Sequence, residues 1–378
     1  MQQFHPPLVH STAKLAFSTP HITAMAAAFR NKNSTWNVWK VWNLWKPRSG
    51  LATVAKSNPY PRLLNMAAPA ASGGPVRVLD GSMGSQLSDR GLIPPTDALW
   101  SARVLVTDLP AIVDVHKSYI RSGADVVTTC SYQANVDNLQ FHLGIGASEA
   151  EALIARSCMA AVAAREQCGR PGVIVAGSVG PYGAAQADLS EYTGGYADVK
   201  SVEELVEWHR PRVRCLVAAG CDVLAFETIP AAREAVALVQ LLRQFPGTQA
   251  WLSFSTSPDA PHCTAKGEPL AEAMNECLLA DACRQIIAIG VNCCPPENVA
   301  AALRSTGHLR VPFIAYPNSG EMFSSSGRVP ADRAPRKPLS AYVPEWIDLN
   351  ARWIGGCCGT GPDDISAVAK VVNSLASA

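Results

Sequence analysis

The stretch AGCDVLAFET at residues 219–228 contains the structural unit from which most of the chain is built. A helical segment ends at Gly220, because glycine commonly closes helices, and a nearly continuous apolar run follows at once. Strands of this composition are typical of parallel sheets that are buried on both faces. The stretch GADVVTTC at residues 123–130 repeats the same junction, which indicates successive β/α units.

Eight apolar, mostly β-branched runs follow one another after residue 75, separated by longer segments with helical periodicity. Eight β/α units in about 300 residues predict an α/β fold, a closed (β/α)8 barrel of the TIM type. A doubly wound open sheet is the alternative, but no glycine-rich dinucleotide-binding loop follows the first run. The runs are Val76–Asp80, Ala124–Cys130, Val173–Val179, Cys221–Thr228, Ala250–Thr256, Ile286–Cys293, Pro312–Pro317 and Trp353–Cys358.

The segment between the first two runs illustrates the helical units. Asp108 is placed to cap a helix, Pro110 falls in the first turn, and Gly123 ends the helix just before the next strand. The basic stretch at residues 209–212, HRPR, is interpreted as a basic face of a later helix, with a loop lining as the alternative. The residues that share one face of the first helix are Leu109, Ile112, Val113, His116 and Ile120.

Residues 1–73 differ in composition from the rest of the chain. They are rich in Ser, Thr, Ala, Asn and Pro, and residues 1–79 carry nine of the 32 Lys and Arg but no Asp or Glu. A basic composition without acids is typical of organellar transit peptides. We therefore divide the chain into a poorly ordered basic N-terminal extension, residues 1–73, and a barrel domain, residues 74–378.

The extension also bears on localisation. If residues 1–73 are a transit peptide, the protein is expected in mitochondria or another organelle, and if translation starts at Met66 it is expected in the cytoplasm. Within the extension Trp36, Trp39, Trp42 and Trp45 recur every third residue. Such a repeat could bind a membrane surface or an import receptor, or it belongs to an extension without a biochemical role.

The formal net charge of +1 averages two segments of opposite sign. After residue 79 the chain holds 23 Lys and Arg against 31 Asp and Glu, a net charge of −8. The nearly neutral charge of the whole chain argues against nucleic acid as a partner. An uninterrupted apolar run of about 18 residues is missing, so no transmembrane segment is expected. The expected partners are small-molecule substrates, and the oligomeric state is left open.

A polar residue stands at the C-terminal end of every predicted strand, where barrel enzymes carry their active sites. Buried polar groups are costly without a purpose, so the full set favours a functional site, although Asp80 alone could shape a turn and Glu227 alone could cap a helix. The set comprises Asp80, Thr128, Thr129, Ser178, Glu227, Ser255, Asn292, Cys293, Asn318, Cys357 and Cys358.

Two of these strand ends carry adjacent cysteines, Cys293-Cys294 and Cys357-Cys358. The ends of the sixth and eighth strands of such a barrel lie two neighbours apart, about 10 Å, so thiolates from both could share one zinc ion. The sequence holds no CxxC, HExxH or HxxEH motif. A vicinal disulfide between Cys357 and Cys358, or four buried thiols without a shared role, are the alternatives.

The glycines around the second pair, Gly355, Gly356 and Gly359, remove side chains so that the chain can leave strand geometry and turn both thiols towards one point. Three sulfurs on one ion leave a fourth tetrahedral position open, as in catalytic zinc sites. Such an electron-rich site suits a substrate thiol held as thiolate, a nucleophile towards a methyl group on a sulfonium or ammonium. The chemistry indicated is S-alkylation.

Eight strings of the sequence occur in the order of one known family. They are VLDGSMGSQLSDRG at 78–91, DALWSARVL at 97–105, GADVVTTCSYQA at 123–134, AGSVGPYGA at 176–184, AFETIP at 225–230, GVNC at 290–293, YPNSGE at 316–321 and GGCCGT at 355–360. Together they resemble the homocysteine S-methyltransferase family from about Val76 to the C-terminus. DALWSA and YPNSGE look closer to members that use S-methylmethionine or S-adenosylmethionine than to betaine enzymes.

The resemblance implies a (β/α)8 barrel with zinc bound by Cys293, Cys357 and Cys358 and with homocysteine sulfur as the fourth ligand. Cys294 matches no ligand of the family pattern. Glu227 matches the family carboxylate that holds the homocysteine amino group. The substrate-binding residues that the resemblance implies are Asp80, Gly81, Thr129, Tyr132, Glu227 and Asn292.

The resemblance thus predicts a zinc-dependent S-methyltransferase that moves a methyl group from S-methylmethionine or S-adenosylmethionine to homocysteine, forming methionine. The alternatives are a betaine–homocysteine or selenocysteine methyltransferase, a folate-dependent enzyme, and a non-catalytic zinc- or thiol-binding barrel. Because the barrel occupies the whole acidic part of the chain, no room is left for a cobalamin- or folate-binding domain.

Overall fold

The computed structural model describes residues 74–377, with gaps at residues 95, 308, 320–321, 325–326 and 330–336. The side chains of residues 322–324 and 327–329 also lie outside the description. The predicted extension 1–73, its tryptophan repeat and Met66 lie outside the described residues, so the division at residue 73 stays a prediction. None of the helices in the described ranges combines the length and the apolar character that crossing a membrane requires.

Eight parallel strands form a barrel in which neighbours follow chain order. A parallel bridge between Leu79 and Val126 joins the first strand to the second and closes the ring. The predicted (β/α)8 barrel is confirmed, and the alternative prediction of a doubly wound open sheet is wrong. The barrel strands are β1 Arg77–Val78, β2 Val126–Thr128, β3 Ile174–Val179, β4 Val223–Ile229, β5 Ala250–Phe254, β6 Ile286–Asn292, β7 Phe313–Tyr316 and β10 Ala351–Ile354. Two further strands, β8 Met322–Ser324 and β9 Gly327–Val329, pair with each other as an antiparallel hairpin.

Helices connect the successive strands and surround the barrel. They are α1 Met83–Asp89, α2 Val104–Thr107, α3 Leu109–Arg121, α4 Val136–Leu143, α5 Ala147–Gln167, α6 Tyr182–Gln186, α7 Val202–Ala219, α8 Ala232–Leu242, α9 Leu270–Ala280, α10 Pro296–Ser305, α11 Val343–Asp348 and α12 Pro362–Ala376. Short 3-10 turns cover Trp100–Arg103, Ser190–Tyr192, Gly195–Asp198 and Leu339–Ala341.

Helix α3 forms as its sequence predicts. The Asp108 side chain accepts a hydrogen bond from the Ala111 amide at 3.1 Å, which caps the first turn. Pro110 lies in that turn, where its missing N–H has no helical partner to lose. Gly123 follows the helix with φ of 103°, a left-handed conformation that favours glycine.

Two layers of apolar side chains make up the core. The larger layer lies between strands and helices, as a parallel sheet covered on its outer face requires. The smaller layer fills the barrel interior and includes the aromatic rings of Trp251, Tyr316 and Trp353. The Trp251 indole donates a hydrogen bond of 3.1 Å to the Tyr316 hydroxyl, so the polar tips of this aromatic layer are paired.

The interpretation of residues 209–212 as a basic helix face is half wrong. The stretch lies on helix α7, as interpreted, but His209 and Arg212 are buried. His209 lies 2.8 Å from the buried carboxylate of Glu234, and Arg212 donates to the carbonyl of Tyr132 at 2.8 Å. These partners are distant in sequence, which is why the buried pairing was not visible in the pattern of charges.

The buried ring of His116 on α3 predicts acid sensitivity. Both ring nitrogens lack hydrogen-bond partners, and burial lowers the His116 pKa to about 3, far below its value of about 6.5 in an unfolded chain. Below pH 6.5 the unfolded state therefore binds a proton that the folded state does not. This residue alone should reduce the free energy of unfolding by about 1.4 kcal/mol per pH unit below 6.5.

Urea unfolding at pH 7.5 and pH 5.0 measures this effect. The variant His116→Leu should lose about 2 kcal/mol less stability between these two pH values than the wild type. The control His142→Gln alters an exposed histidine and should follow the wild-type profile. Parallel profiles for His116→Leu and the wild type would contradict the prediction.

Candidate functional site

Three cysteine sulfurs meet at the C-terminal end of the barrel. They belong to Cys293, directly after β6, and to Cys357 and Cys358, in the turn after β10, and all lie within 4.8 Å of one another. The sulfurs of Cys293 and Cys358 are 3.7 Å apart. The cluster unites two strand ends that are separated around the barrel only by β7. In the described part of the chain this is the one group of side chains with the spacing of a metal site.

The backbone leaves strand geometry at both cysteine positions. The last strand was predicted to run to Cys358, but β10 ends at Ile354, which frees the two cysteines to lie in a turn. Cys293 has a φ of 51°, a left-handed conformation that non-glycine residues rarely adopt. A Cβ atom on Gly356 would lie 2.3 Å from Thr360 Oγ1, so this close approach requires glycine. The predicted role of the surrounding glycines in turning the chain agrees with this geometry.

The cysteine cluster has the chemistry of a soft metal site. Hydrogen bonds from the thiols of Cys357 and Cys358 lower the pKa of Cys293 well below its usual range, and the same contacts raise the pKa of Cys357 and Cys358 well above it. The contacts among the three sulfurs thus favour negative charge on Cys293. The Tyr192 hydroxyl lies 3.2 Å from the Cys293 sulfur and adds a polar contact.

Two alternatives for the cysteines find no support in this geometry. All twelve cysteines of the sequence lie in the described ranges and all are free, so Cys357 and Cys358 form no vicinal disulfide. Cys294 is not part of the cluster, and burial raises its pKa to about 12, which keeps it a neutral thiol. Its separation from the three sulfurs agrees with the absence of a ligand counterpart in the family pattern.

Glu227 lies in β4 with a buried carboxylate that hydroxyl groups orient. Ser178 donates to one carboxylate oxygen, and Tyr316 donates to the other at 3.2 Å. Burial raises the pKa of Glu227 to about 7, although both hydrogen bonds act in the opposite direction. Its two hydrogen-bond partners are neutral, so the carboxylate is poised to accept a cationic group of a ligand.

Asp80 follows β1 and is bound to β2. Its carboxylate accepts hydrogen bonds from the amide and the hydroxyl of Thr128, at 2.8 Å and 3.0 Å. Burial raises the pKa of Asp80 to about 8. Next to it, a Cβ atom on Gly81 would lie 2.9 Å from both Tyr119 and Thr360. Asp80 therefore helps to join the first two strands, and Gly81 allows close packing beneath them.

Asn292 uses its amide group within the protein. Its oxygen accepts from the Thr228 amide and from the Ser253 hydroxyl, both at 2.8 Å, and its nitrogen donates to the Thr228 hydroxyl at 2.8 Å. Thr228 has a φ of 60°, a strained conformation for a β-branched residue. We therefore interpret Asn292 as the group that holds Thr228, and with it the neighbouring Glu227, in position.

Thr129 and Tyr132 lie after β2 in different surroundings. The Thr129 hydroxyl accepts from the Ser178 amide at 2.9 Å and thereby links the ends of β2 and β3. Tyr132 is half-buried, and its pKa is raised well above the usual value by burial and by the charges of Glu191 and Cys293. Tyr132 also packs against Gly180, where a Cβ atom would lie 2.7 Å from its ring, whereas Thr129 links the strand ends.

Sequence reasoning missed three residues of this site: Tyr316, Glu191 and Tyr192. Tyr316 orients Glu227 from inside the barrel, and Tyr192 contacts Cys293 from the long connection between β3 and α7. The length of this connection was a signal that the sequence offered for Glu191 and Tyr192, because long loops at the C-terminal ends of barrel strands commonly carry functional residues. The contact of that loop with β6 was not readable from the sequence.

Comparisons with known proteins agree with the geometry. The sequence model described as homocysteine S-methyltransferase matches residues 77–372. The chain is 42% identical over 302 residues to the homocysteine S-methyltransferase of Escherichia coli (strain K12), covering 78% of this chain and 94% of that protein. It is 40% identical over 310 residues to homocysteine S-methyltransferase YbgG of Bacillus subtilis (strain 168), covering 80% of this chain and 96% of that protein. The crystal structure of the metallated form of the homocysteine methyltransferase MmuM from Escherichia coli matches with a TM-score of 0.70 and 37% identity, over 83% of this chain and 99% of that chain.

Proposed function

Because the chain belongs to the homocysteine S-methyltransferase family, we propose that it transfers a methyl group from S-methylmethionine or S-adenosylmethionine to homocysteine, with zinc as its metal. The observation that carries the proposal is the convergence of Cys293, Cys357 and Cys358 within 4.8 Å. The homocysteine methyltransferase MmuM, which matches this fold, is known in a metallated form, and this supports the proposal that this chain also binds a metal.

The three sulfurs fit a zinc ion. With zinc–sulfur bonds of about 2.3 Å, tetrahedral coordination separates two sulfurs by about 3.8 Å. The measured separation between the sulfurs of Cys293 and Cys358 is 3.7 Å. Thiolates select soft or borderline metals over magnesium or calcium, and three of them leave one tetrahedral position for a substrate thiol. When bound, zinc would lower the pKa of that thiol so that it reacts as the thiolate at neutral pH.

Glu227 is proposed to bind the ammonium group of homocysteine. Its carboxylate is buried, and its hydrogen-bond partners Ser178 and Tyr316 donate neutral hydroxyl groups to it. Among the described residues no cation is hydrogen-bonded to it, so an incoming ammonium could form a direct, charge-assisted hydrogen bond with this carboxylate. The Trp251 indole donates to the Tyr316 hydroxyl, which in turn donates to Glu227, so the carboxylate is held in one orientation for the substrate.

The proposed reaction is a direct displacement at carbon. The substrate sulfur forms a bond to the methyl carbon while the bond from that carbon to the donor's sulfonium sulfur breaks, and the electron pair of the broken bond stays on the donor sulfur. The proton of the homocysteine thiol passes to solvent water when the thiol binds. Positive charge on the donor disappears in the transfer, so orientation and exclusion of water are the main tasks of the protein.

Incubation with parallel donors tests the function. We expect methionine formation from homocysteine with S-methylmethionine or S-adenosylmethionine, and at least about tenfold slower formation with betaine. The reason is that the motifs DALWSA and YPNSGE resemble those of enzymes that use a sulfonium donor. Selenocysteine offered in place of homocysteine tests the acceptor. If no donor gives a methylated product while zinc remains bound, the barrel binds thiols without turnover and the proposal fails.

A further inference from the structure

The connection between β3 and α7 carries a buried carboxylate that the proposed reaction does not use. Glu191 is only 8% exposed, and its Oε2 atom has no hydrogen-bond partner. The adjacent Ser190 hydroxyl is also buried without a partner. A buried carboxylate oxygen without a donor is costly, and its retention calls for an explanation such as a catalytic role or a bound water, ion or ligand. The unpartnered oxygen therefore indicates a binding role.

The main chain around Glu191 is fixed against the barrel. The Ser255 hydroxyl donates to the Glu191 carbonyl at 2.9 Å, which attaches the segment to the end of β5. A Cβ atom on Gly183 would lie 2.5 Å from the Glu191 amide nitrogen, so the segment packs closely against α6. The next residue, Tyr192, reaches the Cys293 sulfur at 3.2 Å. The segment that carries Glu191 is thus held beside the cysteine cluster.

The surroundings of Glu191 are aromatic and negatively charged. Burial raises the Glu191 pKa to about 7, and the charges of Cys293 and Asp188 act in the same direction. Burial raises the pKa of Tyr132 and of Tyr192 well above the usual value, and the charge of Glu191 acts in the same direction. Tyr192 is the next residue after Glu191 in the same 3-10 turn. Phenol rings beside a carboxylate make a favourable environment for a cation.

We propose that Glu191 is the counter-charge for the onium centre of the methyl donor, with Tyr132 and Tyr192 beside it. The inference rests on the proposed function and deepens it, because it defines the donor class. A sulfonium or a quaternary ammonium supplies the positive charge that the carboxylate lacks. A neutral or anionic donor such as a methylated folate would leave the carboxylate unpaired and is disfavoured at this position.

A kinetic consequence distinguishes this role from one in the chemical step. The positive charge is complete in the bound donor and declines as the methyl group is transferred. Glu191 therefore stabilises the bound donor more than the transition state. Loss of its charge should raise the KM for the donor and leave kcat unchanged or increased.

Binding of S-methylmethionine to the zinc-loaded protein, measured by titration calorimetry, tests the proposal. The variant Glu191→Gln should bind this donor about 10- to 100-fold more weakly, as expected for the loss of a buried hydrogen bond to a charged group. Its affinity for homocysteine should be unchanged. The control Glu203→Gln removes a negative charge from an exposed position at the start of α7 and should bind the donor like the wild type. A parallel titration with betaine separates a sulfonium site from a site for quaternary ammonium.

The thermal stability of the variant distinguishes a binding role of Glu191 from a purely structural one, in which its replacement would destabilise the fold. Because Glu191→Gln removes an incompletely paired buried charge, its thermal midpoint should equal or exceed that of the wild type. Equal donor affinity in variant and wild type, an equal loss of homocysteine affinity, or no binding of either onium compound by the wild type overturns the inference. Donor binding by the wild type without methionine formation contradicts the proposed function alone and leaves this inference standing.

Discussion

Replacement of Cys357 by alanine is expected to remove bound zinc and methyl transfer together. Cys357 is one of three sulfurs that lie within 4.8 Å of one another, and the remaining two thiols cannot enclose the ion. Structural zinc sites contribute roughly 10 kcal/mol or more, so the loss of one ligand should weaken binding by several kcal/mol. Activity should fall by about a thousandfold or more, the equivalent of about 4 kcal/mol. Zinc per chain, measured by atomic emission, and the rate of methionine formation provide the two readouts.

Cys294→Ala is the matched control for this experiment. It removes a buried thiol from the residue next to Cys293, but that thiol is outside the cluster. This variant should keep zinc and most of the wild-type activity, with a modest loss of stability from the small cavity. Cys357→Ala protein with full zinc content, or metal-free wild type with full methyl transfer, would contradict the zinc proposal.

The second large effect is expected for Glu227→Gln. The amide has nearly the shape of the carboxylate and keeps an acceptor for the Ser178 hydroxyl, but it carries no charge for the substrate ammonium. A hydrogen bond to a charged group contributes about 1.5–3 kcal/mol, so kcat/KM for homocysteine should fall about 10- to 100-fold. Zinc content should be unchanged, because Glu227 is not among the three ligands.

An acceptor without the amino group makes the Glu227 test specific. Wild-type protein should prefer homocysteine to 4-mercaptobutanoate, which has the same thiol and carboxylate but no ammonium group. In Glu227→Gln this preference should largely disappear, because the variant cannot recognise the group by which the two acceptors differ. A variant that keeps the full wild-type preference would assign ammonium binding to another residue.

The barrel was predictable because its signals are local. Apolar runs such as the one that contains β4 alternate with amphipathic segments, and caps such as Asp108 mark the starts of helices. All eight predicted runs overlap the observed barrel strands, although the last strand ends at Ile354, earlier than predicted. Strand ends are difficult to predict because residues such as Cys357 and Cys358 remain apolar in composition after the chain has begun to turn.

The candidate site was predictable in part. Cys293, Cys357, Cys358 and Glu227 stand at ends of parallel strands, which a closed barrel brings to one face whatever the side-chain details are. Motifs shared with a known family added their roles. The hydrogen bonds from Ser178 and Tyr316 to Glu227 were not predictable from the sequence. They form because these side chains point into the barrel at the same height, and the stagger of the strands, not their order, sets that height.

The sequence by itself determined the fold class, because periodicity is a property of neighbouring residues. Strand-end position singled out the two cysteine pairs and Glu227 as candidates, and only the resemblance to a known family implied which three cysteines hold the metal and what Glu227 binds. Only the tertiary structure decided that Glu191 is buried with an oxygen that has no partner. It also decided that Asn292 supports Thr228, that His209 pairs with Glu234, and that Tyr192 contacts Cys293. Each of these contacts joins residues that are distant in the chain. Burial and hydrogen-bond partners arise only when the ring closes and excludes water from both sides of the barrel wall.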